Sequence, residues 1–172
     1  AERSGIELPK EEMSEEKRAR ENYKSVLKEV NRTAAGYFHY ILTKTEHGKK
    51  ALDYLHGRGL TDETIKNFGM GYSDIYENDL YHYLKKQGYT DNQMKDVGLI
   101  DIYENKGAVD KFWNRVMVPI LDINGKVIGF GGRVLGDGLP KYVNTKETQI
   151  FDKGHNLFAM NIARRSKRRG II

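Results

Sequence analysis

The stretch from Arg115 to Arg133 constrains the fold most strongly, and it reads RVMVPILDINGKVIGFGGR. Its β-branched and aliphatic residues alternate with other residues on both sides of an Asn124-Gly125 pair. Alternation with a period of two is typical of strands that bury one face. An Asn-Gly pair between two such runs predicts a hairpin with a type I′ turn. We therefore expect a small antiparallel sheet in the second half of the chain.

A long helix is predicted before this sheet. From Tyr23 to Ile41, apolar residues recur at three- and four-residue steps, which is the spacing of one buried helix face. Residues 1–22 contain Pro9 and the highly charged run KEEMSEEKRAR. We expect them to form a linker and the solvated start of the helix, and residues 23–172 to form the folded domain.

Residues 46–98 predict a layer of short helices. Four glycines are expected to end them in the left-handed conformation: Gly57, Gly69, Gly88 and Gly98. Thr61 and Asn78 are candidate N-caps, and the spacing of Thr90 and Gln93 predicts a capping box. Between two of these helices, FGMGYS is interpreted as a single extended segment. The fold class is therefore α+β, an N-terminal helical layer followed by a small antiparallel β-sheet with an Asn-Gly hairpin.

Composition and charge exclude several kinds of site. Because there is no cysteine, neither a disulfide nor a thiolate zinc site is possible. The five histidines lack metal-ligand spacing, and no Asp-x-Asp pair suggests a two-magnesium site. No apolar run is long enough to cross a membrane, and the N-terminus lacks the apolar stretch of a signal peptide. We expect a soluble, cytoplasmic protein that binds no metal or other cofactor within this chain.

The net charge of +5 has an uneven distribution. Five basic residues lie between Arg164 and Arg169, in RRSKRR, and the rest of the chain has equal numbers of basic and acidic residues. Such a run attracts nucleic acid through its phosphates. A solvated helix end has the same composition, so both interpretations of the run stay open.

The glycine-rich stretch GFGGRVLGDGLPKYVN, from Gly129 to Asn144, surrounds two cations, Arg133 and Lys141. Glycine allows a ligand to approach the backbone, and Arg and Lys bind phosphate through charge-assisted hydrogen bonds. Neither a P-loop nor a dinucleotide-binding fingerprint is present. Tyr142 and Asn144 add the ring and the amide with which proteins stack on and hydrogen-bond to nucleotides. A tightly turning hairpin edge and a phosphate-contacting loop are both compatible with this stretch.

These segments resemble the bacterial replicative DNA primases. The run RVMVPILDINGKVIGFGGRVLGDGLPKYVNTKETQIFDKGHNLF is similar to the primase pattern of an R-V-M-x-P-I strand, a G-F-G-G-R turn, a P-K-Y-x-N segment and an E-T-x-x-F-x-K-G run. RGLTDETIKNFGMGYS resembles the stretch before it, and AERSGIELP resembles the exit from the family's zinc-binding domain. The resemblance implies the N-terminal subdomain of the primase RNA-polymerase core.

The resemblance also implies what lies outside this chain. Primases make short RNA primers on a single-stranded DNA template from ribonucleoside triphosphates. In the family a zinc-binding domain would precede Ala1, and a Toprim subdomain with the catalytic carboxylates and Mg²⁺ would begin near RGII at Ile172. A later C-terminal region would contact the replicative helicase. This chain alone is therefore expected to be inactive, and the alternative is a non-catalytic module that binds single-stranded nucleic acid.

The resemblance also gives candidate contacts in this chain. Arg133 and Lys141 would bind phosphate groups of the template or the nucleotide, and Tyr142 and Asn144 would contact sugar or base. Three further residues match basic positions of the family pattern: Arg58, Arg115 and Lys153. Structural roles stay open for two of these residues, since Tyr142 could belong to the hairpin core and Arg115 could cap the sheet in a salt bridge.

Overall fold

A computed structural model describes residues 10–155 of the chain. The segment AERSGIELP and the basic run from Arg164 to Arg169 lie outside the described residues. The helices are α1 (Lys10–Lys44), α2 (Lys49–Gly57), α3 (Asp62–Asn67), α4 (Asp79–Lys86) and α5 (Asp91–Asp96). The strands are β1 (Gly71–Ser73), β2 (Ile100–Tyr103), β3 (Gly107–Asp110), β4 (Arg115–Leu121), β5 (Val127–Val134) and β6 (Tyr142–Asn144). The predicted α+β class is confirmed.

Helix α1 packs against both the short helices and the main sheet. It contacts α2, α4 and α5 on the helical side and β1 and β5 on the sheet side. Its buried residues recur at three- and four-residue steps and are Leu27, Val30, Asn31, Ala34, Phe38 and Leu42. The Phe38 ring meets the Phe130 ring of β5 edge-on, with 5.5 Å between the ring centroids. This buried stripe confirms the long amphipathic helix that the spacing predicts.

The short helices end largely as predicted. Three glycines follow a helix in the left-handed conformation: Gly69, Gly88 and Gly98. The prediction for Gly57 is wrong, because Gly57 is the last residue of α2 and Gly59, with a φ of 86°, takes the left-handed position. The N–H groups of Gly59 and Leu60 donate to carbonyl oxygens of the last helical turn in a Schellman motif. Arg58 is therefore fixed directly at the end of α2.

Two of the three predicted N-terminal caps are formed by the residues expected. The Thr61 hydroxyl accepts the N–H of Thr64, and Thr90 and Gln93 form a capping box. The side chain of Asn78 makes no cap on α4. Instead, the carboxylate of Asp110 in β3 accepts the N–H groups of Leu80 and Tyr81 at 2.9 and 3.0 Å. A residue that is distant in sequence thus satisfies the first turn of α4.

The main sheet has four strands in the order β1-β4-β5-β6, and all neighbours are antiparallel. The extended segment predicted at FGMGYS is confirmed for its last three residues, which form β1 and pair with the start of β4, whereas Phe68 and Gly69 belong to the turn that ends α3. Strands β2 and β3 form a separate antiparallel ribbon that the sequence did not predict. Helices α2 and α3 pack on the sheet face that carries Val116, while α1 packs on the face that carries Phe130.

The connection between β4 and β5 contains Asn124 and Gly125, but it is not a type I′ turn. Gly125 has a φ of 78°, whereas Asn124 does not have the positive φ that a type I′ turn requires. The connection is a three-residue turn in which the N–H of Gly125 donates to the carbonyl of Asp122. The Asp122 carboxylate accepts the N–H groups of Asn124 and Lys126, both at 2.9 Å, and thereby holds the longer turn.

The buried carboxyl group of Asp110 predicts a pH dependence of stability. Asp110 is only 4 % exposed, and burial raises its pKa to about 7 despite the two backbone hydrogen bonds. Because this pKa lies above that of the unfolded chain, the stabilising contribution of the protonated group is complete below about pH 4 and is lost as the pH rises through 7. Asp110→Asn should therefore reduce the fall in unfolding free energy between pH 5 and 8 by about 2 kcal/mol.

Urea unfolding at the two pH values measures this effect. Asp137→Asn is the matched control, since Asp137 is an exposed loop residue. If Asp110→Asn shows the same pH dependence as the wild type, Asp110 is ionised throughout this range and the prediction fails.

Candidate nucleic-acid interface

A groove with a volume of about 570 Å³ opens on the sheet face next to α2. The antiparallel register places Val116 opposite Arg133 and Val118 opposite Gly131, so these residues share that face. Strand β6 extends it, with Tyr142 opposite Arg133 and Asn144 opposite Gly131. The remaining lining comes from α2, the segment around α3 and the residues after β6.

The side chain of Arg133 lies between two aromatic rings. Its guanidinium carbon is 5.6 Å from the ring centroid of Tyr54 in α2 and 5.6 Å from that of Tyr142 in β6. Both distances allow cation–π attraction. This arrangement restricts the guanidinium while its N–H groups stay free of any carboxylate among the described residues. The resulting Tyr54–Arg133–Tyr142 clamp presents an oriented cation to the groove.

Three further candidates line the same groove. The residues concerned are Arg58, Asn144 and Lys153. Lys141 lies beside the groove, with its Nζ 6.0 Å from the ring centroid of Tyr142. Tyr142 itself is 60 % exposed and is therefore not hairpin core. The structure thus brings five of the seven predicted residues to one groove and places Lys141 at its margin.

Arg115 is the exception among the predicted residues. It is 6 % exposed and lies on the opposite face of the sheet, where its Nη1 donates to the carbonyl of Lys141 at 3.4 Å. This burial lowers the pKa of Arg115. Among residues 10–155, Arg115 forms no salt bridge. The structural role considered for it at the edge of the sheet is a hydrogen bond to the carbonyl oxygen of Lys141 instead. Arg115 therefore supports the backbone at Lys141 from inside the fold.

The two adjacent glycines before Arg133 occupy positions where a Cβ atom would meet other atoms. At Gly132 it would lie 3.0 Å from Phe112 Cδ1 and 3.1 Å from Met117 Sδ. At Gly131 it would lie 3.0 Å from the side-chain oxygen of Asn144. Both glycines therefore lie where neighbouring side chains approach the strand closely, at Gly132 from the core and at Gly131 from the groove.

Comparison with known proteins identifies the family. The family model for the DNA primase catalytic core, N-terminal domain, matches residues 37–164. This chain belongs to that family. A DNA primase of Clostridium acetobutylicum is 44 % identical over 134 residues, which cover 78 % of this chain and 22 % of the relative. The chain spans about a quarter of the length of the curated primases that it matches.

Solved primase structures have the same fold. A primase catalytic domain bound to single-stranded DNA matches with a TM-score of 0.78 and 32 % identity, over 85 % of this chain and 47 % of that chain. The RNA polymerase domain of Mycobacterium tuberculosis primase, in complex with a double-stranded DNA that has a 6-nucleotide overhang, matches with a TM-score of 0.76 and 29 % identity, over 82 % and 44 % of the two chains. The primase fold therefore extends over most of this chain.

Sequence reasoning missed the part of the primase groove that α2 contributes. Tyr54 completes the clamp, and it lies one helical turn before Arg58 on the same side of α2. The four-residue spacing of Tyr54 and Arg58 is the feature of the sequence that could have predicted this contribution. The apolar floor was also missed, and its residues include Leu60, Met70, Val118, Ile120 and Phe151. These residues come from separate elements that only the tertiary fold brings together.

The described part of this primase domain offers neither a metal cluster nor a membrane span. Among residues 10–155, no three His, Asp or Glu side chains are grouped so that they could hold a metal ion. None of the helices in that range is both long and apolar enough to cross a bilayer. The cationic and aromatic side chains that line the groove suit phosphates and flat rings.

The glycine pair gives a test of how tightly the groove is built. Gly132→Ala should lower the free energy of unfolding by about 1–3 kcal/mol, because its Cβ would meet buried side chains that have little room to move. Gly131→Ala should cost less than about 1 kcal/mol, since the exposed side chain of Asn144 can rotate away. Urea denaturation of both variants measures the difference. Equal losses in the two variants would contradict this account of the strand.

Proposed function

We propose that this chain is the N-terminal subdomain of the RNA-polymerase core of a DNA primase, which makes short RNA primers on single-stranded DNA during replication. Residues 23–172 would form the subdomain, and residues 1–22 would form a linker and the start of α1. Its groove would bind the template strand or the incoming nucleotide. The Tyr54–Arg133–Tyr142 clamp above an apolar floor is the observation that carries this proposal.

The composition of the groove suits a single strand. Cations at its sides neutralise phosphates, while the rings and the apolar floor take up bases and sugars after they leave water. Arg133 and Lys141 would contact phosphate, and Tyr142 and Asn144 would contact sugar or base. Arg58 and Lys153 would add phosphate contacts at the groove wall. Arg115 would act indirectly by holding the backbone at Lys141.

The remaining parts of the reaction would lie outside this chain. A Toprim subdomain would supply the catalytic carboxylates and Mg²⁺, a zinc-binding domain would hold Zn²⁺, and a further region would contact the replicative helicase. The described residues offer no metal site, so we assign them no metal-dependent step. Phosphoryl transfer depends mainly on positioning and on neutralising charge, and this chain would position the template and the ribonucleoside triphosphates. We infer that alone it makes no primers, and that the whole enzyme acts in the cytoplasm.

A freestanding module that binds single-stranded nucleic acid without catalysis is the alternative. Such a module would use the same groove in the same way. The match of this chain to primases over most of its length favours the enzyme subdomain.

Substitutions in the groove test the proposed binding. Arg133→Ala or Lys141→Ala should weaken binding of single-stranded DNA for all sequences alike, because phosphate contacts do not depend on the base. Each variant should also reduce the slope of log affinity against log salt concentration by about 0.7, the value for one phosphate contact on a single strand. Fluorescence anisotropy with labelled oligonucleotides at several salt concentrations measures both quantities.

The basic run from Arg164 to Arg169 is a competing site and requires its own control. A variant with these five cations replaced by serine or glutamine should keep the effect of Arg133→Ala. If only the loss of the basic run weakens binding, the groove is not the template site.

The clamp gives a second test, through a double-mutant cycle. Tyr54→Leu removes a ring from beside Arg133 and should weaken single-strand binding about fivefold, because the released side chain must be ordered on binding at a cost of about 1 kcal/mol. Tyr54→Phe keeps the ring and should bind like the wild type. In an Arg133→Ala background, Tyr54→Leu should have no further effect, because its role is to orient Arg133. A full additional loss in that background would show that Tyr54 contacts the nucleic acid directly.

A further inference from the structure

A second pocket, of about 370 Å³, lies at the N-terminal end of α2. Its polar lining includes Lys50 from α2, His47 from the turn before it, and Asp74 and Tyr76 from the segment that follows β1. Nothing in the proposed role of the groove uses this pocket.

Helix α2 joins the second pocket to the groove. Lys50 lines the second pocket, while Tyr54 and Arg58 line the groove, at successive steps of four residues. Residues four apart lie above one another on a helix and are separated by about 6 Å along its axis. On the sheet side, Arg133 belongs to the groove and Leu135 to the second pocket. The two pockets are therefore consecutive along both walls.

The second pocket, like the groove, is lined by a cation and an exposed ring, Lys50 and Tyr76. Tyr76 is 49 % exposed, and its ring centroid is 6.1 Å from that of His47. His47 Nδ1 donates to the carboxylate of Asp74, a residue that is 8 % exposed, so the charge of a protonated His47 is offset. Lys50 is exposed and has no ion-pair partner among residues 10–155. Lys50 is thus available for a phosphate and Tyr76 for a base.

We propose that the single-strand binding surface continues from the groove along α2 into this second pocket, where Lys50 contacts a phosphate and Tyr76 stacks on a base. The proposal rests on the proposed function of the groove, because it adds a further contact segment to the same strand. A strand that fills only the groove would not reach Lys50, whereas a longer strand would engage both pockets.

Oligonucleotides of two lengths test this extension on the complete chain. We would measure affinity for single strands of about 4 and about 12 nucleotides, lengths that span the range of small single-strand sites. Lys50→Ala should reduce the salt slope by about 0.7 for the longer strand alone. Tyr76→Leu should weaken binding of the longer strand at least about fivefold, the lower limit for losing one stacked base, and leave the shorter strand unchanged.

Lys49→Ala is the matched control, since Lys49 is the adjacent exposed lysine of α2 and lines neither pocket. Thermal unfolding of each variant checks that the fold is retained. The proposal is overturned if Lys50→Ala behaves like Lys49→Ala, or if Lys50→Ala and Tyr76→Leu weaken both strand lengths equally.

Arg133→Ala in the same assay separates this proposal from the proposed function. It should weaken both lengths. If Arg133→Ala has no effect on either length, the groove is not a single-strand site. If in that case the Lys50 and Tyr76 variants still lose affinity, the second pocket binds alone and the continuous surface is also wrong.

Discussion

The structure depends on the glycine pair Gly131-Gly132 in β5, where the absence of side chains lets neighbouring residues pack directly against the strand. At Gly132 the missing Cβ lets Phe112, Arg115 and Met117 close over the strand from the core side. At Gly131 it leaves room on the groove side, where Asn144 packs against the backbone. One short segment thus permits a dense core beneath the sheet and an open groove above it. The next residue, Arg133, points into that groove because side chains alternate along a strand.

Helix α2 connects the packing of the domain to its surface chemistry. Leu55 is buried in the cluster that covers one sheet face, and the adjacent Tyr54 reaches the side chain of Arg133. The position of Tyr54 is therefore set by the burial of its neighbour. A guanidinium held between two rings loses less conformational entropy when it meets a phosphate than a free side chain would. The hydrophobic contacts of α2 in this way support the orientation of a polar group.

Much of this arrangement could be predicted from sequence, and the failures have physical causes. Alternation in β4 and β5 and the apolar stripe of α1 are local patterns, so both were found. The prediction of a type I′ turn is wrong because the carboxylate of Asp122 holds a three-residue turn around Asn124 and Gly125. The prediction that Asn78 caps α4 is wrong because Asp110, in a strand distant in sequence, accepts the hydrogen bonds of the first helical turn. Such contacts depend on tertiary structure, and no local spacing of residues predicts them.

The candidate site could also be predicted only in part. Whether a side chain lies on one face of the sheet or the other depends on its position along the strand, so similar residues can end up on opposite faces. Arg115 and Arg133 are both arginines of the hairpin, but they occupy opposite faces of one sheet and only Arg133 reaches the groove. The family resemblance predicts both arginines as nucleic-acid contacts, and the pairing register of β4 and β5 shows that they lie on different faces. On the proposed function, the groove holds a strand through its phosphates and the faces of its bases, which every sequence shares. Among the predicted residues that line the groove, Asn144 carries the one amide, so it is the neutral side chain best suited to hydrogen-bond a base edge there, while the cations contact the phosphates.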